Sequence, residues 1–478
     1  MPDIHEECGV FGIFTKQMNS DVASEAYMAL YALQHRGQQS CGIAVNDDGV
    51  IRSYRDMGLV PETFNPEILA TKLGLGNMAI GHVEYSKYAN SSRSDAQPLV
   101  VRHVKGTMAL ANNGSLVNAQ ELREELELKG AIFHSSTDAE IISHVVIQER
   151  LSSKSIEEAV EKAMFRLKGC YSMVIMSPQK LIAARDPEGF RPLCLGRLGE
   201  DYVIASESCA FDSIGATFVR DMKPGEIVVI DQSGLRSIET HCGSKGHICV
   251  FEYVYTARPD SVIEGASVHE ARRRAGAFLA LESPCQADVV VGVPDSGLDA
   301  ALGFSQQSGI PYGIGFIKNR YVGRTFILPT QKQREDAVRI KLNVLKATVA
   351  GKRVILVDDS IVRGTTSANI INMLREAGAT EVHVRISSPP FINPCYYGTD
   401  IDSKDKLIAC KMSEEEIRQK INADSLGYLS LNGVKKIANC TTGCDFCTAC
   451  FDGVYHAGVP TQTESKYDKF NYHINEKR

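Results

Sequence analysis

The sequence predicts two domains of different class: an α+β layered domain first, then an α/β domain built on a parallel sheet. Three observations lead there. The chain has 478 residues, well past the size at which a single hydrophobic core stops growing. Up to about residue 235, short strand-like runs fall in two groups with helical stretches between them, which suits stacked layers. From about residue 286, continuous apolar strands alternate with helices, the pattern of a sheet covered on both faces.

Taken in order, residues 8–14, CGVFGIF, read as a short buried strand. A helix is expected over Asp21–His35, where Ala23, Tyr27, Leu30 and Leu33 keep a helical period and Gly37 marks the end. Strands are expected at Asn77–His82, Thr107–Ala111, Tyr171–Met176, Leu181–Arg185, Tyr202–Ala205 and Glu226–Ile230. Helices are expected at Ala119–Lys129, Asp138–Glu149 and Ser155–Leu167. Residues 236–285 bridge the halves. Then come the β run ADVVVGVP, helices at Leu298–Gln307 and Ala337–Val349, strand RVILVDD (353–359), a helix at Thr366–Ala377 and strand EVHVRI. The segment after about residue 400 is polar, and its cysteines are expected to tie it down.

Composition excludes several classes. Hydrophobic residues make up 44% and charged residues 23% of the chain, as in ordinary soluble domains. A net charge of −6 argues against a nucleic-acid groove or a membrane-surface patch. No apolar run is long enough to span a bilayer. The opening MPDIHEE is acidic and lacks the apolar core of a secretory signal, so a cytoplasmic protein is expected. In that compartment the 14 cysteines should be reduced.

The strongest local signal is VILVDDSIVRGTT, residues 354–366. A strand delivers Asp358 and Asp359 at its carboxyl end, where ligands of such sheets bind. Gly364 then leads into a helix whose free N–H groups suit a phosphate. Two adjacent carboxylates suit ribose hydroxyls or hydrated Mg²⁺. The plainer alternative is a surface loop with acidic caps. Neither a P-loop nor a dinucleotide-binding glycine motif is present. The segment resembles the signature of type I phosphoribosyltransferases. The resemblance implies ribose and metal contacts at Asp358 and Asp359, and a 5-phosphate cradle from Ser360, Ile361, Val362, Arg363, Gly364, Thr365 and Thr366.

The second signal is EECGVFGI near the start, joined by LQHRGQQS (33–40), ANNGSLVN (111–118) and SSTDAEI (135–141). Alone, Cys8 would read as a buried structural thiol. Together these pieces resemble the class II, N-terminal-nucleophile (Ntn) glutamine amidotransferases. The resemblance implies that residues 1–7 are a propeptide and that Cys8 becomes the first residue. Its freed amine then serves as base for its own thiol. Asn113 and Gly114 would form the oxyanion hole, Asp138 would hold the substrate α-ammonium, and Arg36 would lie beside the cysteine.

Both halves in this order, with GVPDSG (292–297) and KNRYVGRTF (318–326) between them, resemble the amidophosphoribosyltransferase family along essentially the whole chain. That resemblance implies an Ntn hydrolase domain over 8–235 and a type I phosphoribosyltransferase domain over 236–478. It implies that glutamine supplies ammonia, which replaces the pyrophosphate of phosphoribosyl pyrophosphate to give 5-phosphoribosylamine and opens purine synthesis. Ser296 would join Asp358 and Asp359 near Mg²⁺. The stretch from Lys318 to about Arg339, basic at Lys318, Arg320, Arg324, Lys332 and Arg334, would be a lid over the pyrophosphate; the alternative is a solvated basic loop. Purine nucleotide inhibitors and a homotetramer are further implications.

The third signal is GCDFCTACF, residues 443–451, with Cys440 just upstream. Such clustering in a reduced compartment points to metal, either zinc or an iron–sulfur cluster. Resemblance to the iron–sulfur subfamily implies a [4Fe–4S] cluster on Cys249, Cys395, Cys447 and Cys450, with Cys440 and Cys444 as bystanders. A ferredoxin-like set of Cys444, Cys447 and Cys450 with one more ligand is the alternative.

One departure stands out. Where the family has Gly-His-Val-Arg-Tyr, this chain has Gly81-His82-Val83-Glu84-Tyr85. The family arginine would clamp the glutamine α-carboxylate, so Glu84 sets a like charge there. Lys87 or Arg93 are candidates to replace the lost cation. Without one, weakened glutamine use with intact ammonia-dependent synthesis is expected. Two other classes remain: a non-catalytic nucleotide sensor, against which Cys8 and the acidic pair both count, and a class II amidotransferase for sugars or aspartate, which has no reason for the DDS loop.

Overall fold

The structure is a computed structural model that describes residues 8–85, 92–319, 342–399, 401 and 403–461. Its first half stacks two antiparallel sheets. The seven-stranded sheet contains Gly9–Phe14 between Asp201–Ala205 and Met78–Glu84, with Ser40–Asp47 and Val50–Met57 forming its far edge. The six-stranded sheet runs from Gly234–Ile238 to Leu99–His103 and includes Gly106–Asn113 and Ser172–Met176. Apolar side chains from both, among them Val10, Ala44, Ile80, Ala109, Ala111 and Val174, fill the space between. Helix Val22–Ala32 covers the outer face of the first sheet. Helices Asp138–Ser152 and Ile156–Met164 cover the outer face of the second. The result is a helix–sheet–sheet–helix sandwich, an α+β Ntn-hydrolase arrangement.

Local chemistry explains the helix ends. Asp21 accepts from Ser24 N at 3.2 Å and starts the first helix, as N-capping requires. That helix ends earlier than its periodicity suggests, and Gln34–Arg36 form a separate tight turn. Gly37 follows because its Cα lies against the main chain of Val83 and Glu84: a Cβ there would come within 2.4 Å of Glu84 N.

The second half has a four-stranded parallel sheet in the order Val289–Gly292, Arg353–Asp358, Glu381–Ile386, Ser425–Tyr428. Separate cores lie on its two faces. Helix Val268–Glu282 packs on helix Gly297–Ser308 at glycine: a Cβ on Gly276 would fall 1.8 Å from Ala300 O. The helix expected over Ala337–Val349 is corrected where residues are described. Leu342–Val344 is a strand paired with Phe316–Lys318, and only Lys346–Val349 is helical. The tail is held by Asp445–Cys447, which pairs in parallel with His247–Cys249 and sets Cys249 against Cys447. Among the described residues, no helix is long and apolar enough to cross a membrane.

Candidate functional site

Strand register builds the first site. Gly9 pairs with Val83 and Val10 with His82; Ser40 pairs with Glu84 and Gly42 with His82. Continuing the register by one residue sets Cys8 against Glu84. Alternation then puts Cys8, Glu84, Ser40 and His82 on one face. That face looks at the second sheet, because the His82 Nε2 hydrogen bond reaches Asn112 O at 3.0 Å. Burial pushes the His82 pKa down to about 4, so the ring is neutral.

Across the gap, strand Gly106–Asn113 ends at a sharp turn. Asn113 is buried, and its Nδ2 has no hydrogen-bond partner among the described residues. An orphaned buried donor is costly in a folded protein and marks a place where an acceptor would be stabilised. Gly114 has φ of +132°, and a Cβ there would lie 2.4 Å from Cys170 O; glycine is required. Asp138, the first residue of its helix, holds the next stretch of this turn, its Oδ2 accepting from Leu116 N at 2.9 Å.

Arg36 is fully buried. Its Nε donates to Cys8 O at 3.0 Å. Its terminal nitrogens are held by Glu207 at 2.5 Å and by Glu252 at 2.8 and 2.9 Å. Glu252 also accepts from Arg191, 3.1 Å away, which reaches on to Tyr397 O and Thr399 Oγ1. Burial raises the Glu207 pKa, but the His35 and Arg36 charges overcome it and hold the carboxyl well below the usual range. Arg36 therefore lies beside Cys8 as expected, but its charge is neutralised inside a buried network. Neither Glu207 nor Glu252 carries a local motif that would have revealed it.

The second site lies at the carboxyl end of strand Arg353–Asp358. Asp358 and Asp359 are both buried. The Ser296 hydroxyl donates to Asp359 Oδ2 at 2.5 Å, and the Ser360 hydroxyl donates to its other oxygen. Burial pushes Asp358 well above the usual carboxylate range, with the Asp359 charge adding to it. Burial likewise raises Asp359, against the pull of the two hydroxyls. Such a pair gains from a cation or from hydroxyl donors. Gly364, at φ +81°, caps helix Thr365–Glu376. The Ile361 and Val362 side chains enter the cores on opposite faces of the sheet, so only their main chain is available to a ligand. Arg363 and Thr365 are exposed and Thr366 is half-buried. Lys318 ion-pairs with Asp295 in the loop before Ser296, which brings it to the same end of the sheet. Arg324, with the rest of the expected lid from residue 320 to 339, lies outside the described residues, as do Lys87 and residues 1–7.

The third constellation is a mostly apolar cavity lined by Cys249, Cys395, Cys447 and Cys450 together with Phe190, Phe251, Phe391 and Tyr397. The thiols lie close enough to disfavour one another's ionisation. Burial pushes Cys450 far up, and Cys395, Cys249 and Cys447 add to it; burial takes Cys447 to about 12. The Tyr397 N–H donates to Cys395 Sγ at 3.4 Å. Among the described residues, no three His, Cys, Asp or Glu side chains close around a point suited to a single ion. Cys440 and Cys444 line a different cavity, with His247 and His456.

Known proteins agree with this layout. Residues 85–213 match the family model of the glutamine amidotransferase domain. An amidophosphoribosyltransferase of Methanocaldococcus jannaschii is 49% identical over 467 residues, covering 95% of this chain and 98% of that one. That of Bacillus subtilis is 46% identical over 464 residues, 96% of each chain. A solved structure of the allosteric regulatory enzyme of purine biosynthesis superposes with a TM-score of 0.88 at 45% identity, covering 96% of this chain and 98% of that one. The B. subtilis glutamine phosphoribosylpyrophosphate amidotransferase complexed with ADP and GMP gives 0.86, also at 45% identity and with the same coverage. The fold and these relatives define an Ntn glutamine amidotransferase joined to a phosphoribosyltransferase. The chain belongs to the amidophosphoribosyltransferase family.

Proposed function

We propose that the chain converts glutamine, water and phosphoribosyl pyrophosphate to 5-phosphoribosylamine, glutamate and pyrophosphate, the first step of purine biosynthesis, in the cytoplasm. The observation that carries this reading is the pairing, in one chain, of Cys8 at the start of the inward-facing strand and an Asn113 amide that is buried and without a partner among the described residues, with a buried Asp358–Asp359 pair at a parallel strand end. Cleavage after Glu7 frees the Cys8 amine, which takes the thiol proton as sulfur attacks the glutamine amide carbon. Asn113 Nδ2 and the Gly114 N–H donate to the developing oxyanion. The tetrahedral adduct expels ammonia, and water then hydrolyses the Cys8 thioester to glutamate. Arg36 fixes the Cys8 carbonyl and so the nucleophile's backbone; Asp138 holds the α-ammonium. Nothing in these sites favours restriction to free ammonia or a purely sensing role.

In the domain beginning near residue 236, Asp358 and Asp359 hold the ribose hydroxyls, and the main chain from Ser360 to Thr366 holds the 5-phosphate. Asp358, Asp359 and Ser296 would hold Mg²⁺, which would supply positive charge to offset the pyrophosphate leaving group. Lys318 and Arg324 close over the pyrophosphate, and ammonia takes its place at C1 with water excluded. A [4Fe–4S] cluster on Cys249, Cys395, Cys447 and Cys450 would clamp the tail to the bridge and the sheet. Purine nucleotides inhibit the enzyme, and it assembles as a homotetramer. The test is synthesis with glutamine or with ammonium chloride in wild type and Cys8→Ser. The variant should lose glutamine-dependent synthesis and keep the ammonia-dependent reaction. Equal loss of both would refute the division of labour.

A further inference from the structure

At neutral pH glutamine is a zwitterion, so a pocket that presents its amide to Cys8 must also neutralise an α-carboxylate. The described wall of this pocket is acidic. Glu84 is buried beside Cys8, with Ser40 Oγ donating to it at 2.8 Å. Asp138, Asp95 and Glu140 lie on or beside the loop that bears the ammonium anchor. Arg36 is spent on Glu207 and Glu252. Arg93, a candidate from sequence, turns outward: it is exposed, donates to Arg55 O at 3.1 Å and lies 3.8 Å from Asp56.

We propose that Arg55, on strand Val50–Met57, is the residue that binds the α-carboxylate of glutamine and so sets the specificity of the amide site. The inference rests on the amidotransferase reading above and names the cation that reading lacks. Arg55 pairs with Gly42, which pairs with His82, so it shares the inward face with Glu84 and Cys8. Gly42 leaves its path open: a Cβ there would lie 2.7 Å from Arg55 Cβ and 2.3 Å from Gln97 O. Arg55 Nη1 donates to Ala96 O. The preceding residue, Asp95, accepts from Ser136 N at 3.0 Å and Ser136 Oγ at 3.1 Å, two positions before Asp138. The guanidinium therefore lies beside the segment that is tied to the loop leading into Asp138, the side on which a carboxylate anchor is needed, since the two charges of an α-amino acid sit on one carbon.

Among the described residues, Arg55 makes no ion pair, and its guanidinium's one hydrogen bond is to a carbonyl, so donors remain for a planar, two-point contact with a carboxylate. Burial and the neighbouring Arg93 charge lower its pKa, against the more distant pull of Glu84, Glu140 and Asp95. In this arrangement Glu84 is not an unopposed like charge: it biases Arg55 toward the pocket, and Ser40 fixes its carboxylate.

The test compares wild type with Arg55→Ala, Arg55→Lys and Lys87→Ala on three nitrogen donors: L-glutamine, 4-aminobutanamide (glutamine without its α-carboxylate) and ammonium chloride. Arg55→Ala should raise the KM for glutamine by about 10- to 100-fold, the scale of lost charge-assisted hydrogen bonds, and Arg55→Lys by less. It should leave kcat/KM for 4-aminobutanamide and ammonia-dependent synthesis unchanged. An equal loss on glutamine and on 4-aminobutanamide would mean a merely structural role and overturn the proposal. So would an unchanged glutamine KM in Arg55→Ala with a large rise in Lys87→Ala. A wild type that makes product from ammonia but cleaves no glutamine would instead sink the amidotransferase reading on which the proposal rests.

Discussion

Replacing Glu252 by glutamine tests whether the buried ion network couples the two halves to the nucleophile. Glu252 is fully buried and accepts charge-assisted hydrogen bonds from Arg36 at 2.8 and 2.9 Å and from Arg191 at 3.1 Å. Glutamine keeps the shape but offers one acceptor oxygen and turns an NH₂ toward a guanidinium. Breaking a buried pair from one side costs about 3–5 kcal/mol. The retained acceptor places this change near 3 kcal/mol, or a loss of roughly 6–12 °C in melting temperature for a domain of this size. Arg36 would lose the carboxylate that holds both its terminal nitrogens and shift, loosening its hold on Cys8 O. A displacement of about 1 Å at a nucleophile costs on the order of 100-fold in rate. Glutamine-dependent kcat/KM should therefore fall about 10- to 100-fold while ammonia-dependent synthesis is kept. Thermal melts and paired glutamine and ammonia kinetics read both effects. A variant that melts within 1 °C of wild type with unchanged glutamine kinetics would refute the coupling.

Four further outcomes follow from the same geometry. Asp358→Asn with Asp359→Asn should abolish product formation from either nitrogen donor while leaving the melting temperature equal or higher, because two buried, mutually repelling carboxylates are removed; a folded double variant with normal synthesis would contradict their assignment. Gly114→Ala, which forces a Cβ to 2.4 Å from Cys170 O, should abolish glutamine hydrolysis and lower stability by about 2 kcal/mol or more, measured by urea titration. Anaerobically purified protein should be brown with about four iron and four sulfide per chain, and Cys447→Ser should expose the tail to protease; stoichiometric zinc without visible absorbance would favour the zinc alternative. The Glu207 pKa is depressed in the fold, so its contribution to stability is complete above the ordinary glutamate value near ~4.3 and is lost as pH falls further; Glu207→Gln should flatten the acid limb of the stability curve below about pH 4.5, and an unchanged limb would show that its charge does not matter.

The sequence exposes what local pattern carries. Most first-half helices and seven of its strands follow from local pattern, and the DDS loop and the clustered Cys444, Cys447 and Cys450 are legible from their motifs. What it hides is pairing across distance. Ser425–Tyr428 is a short run that becomes a strand only against Glu381–Ile386. Leu342–Val344 reads as helix until Phe316–Lys318 claims it. Glu207 and Glu252 meet Arg36 from 171 and 216 residues away, and nothing local marks either as buried. Glu84 reads from sequence as a bare charge reversal. Its meaning changes once register brings Ser40 and Arg55 to the same face, a relation no linear motif contains.

The most direct test of the central claim is isotope transfer. Glutamine labelled with ¹⁵N at the side-chain amide, incubated anaerobically with phosphoribosyl pyrophosphate and Mg²⁺, should yield ¹⁵N-labelled 5-phosphoribosylamine, glutamate and pyrophosphate in equal amounts. Pyrophosphate release without ¹⁵N in the trapped product, or glutamine hydrolysis that never depends on phosphoribosyl pyrophosphate and never labels it, would contradict the account.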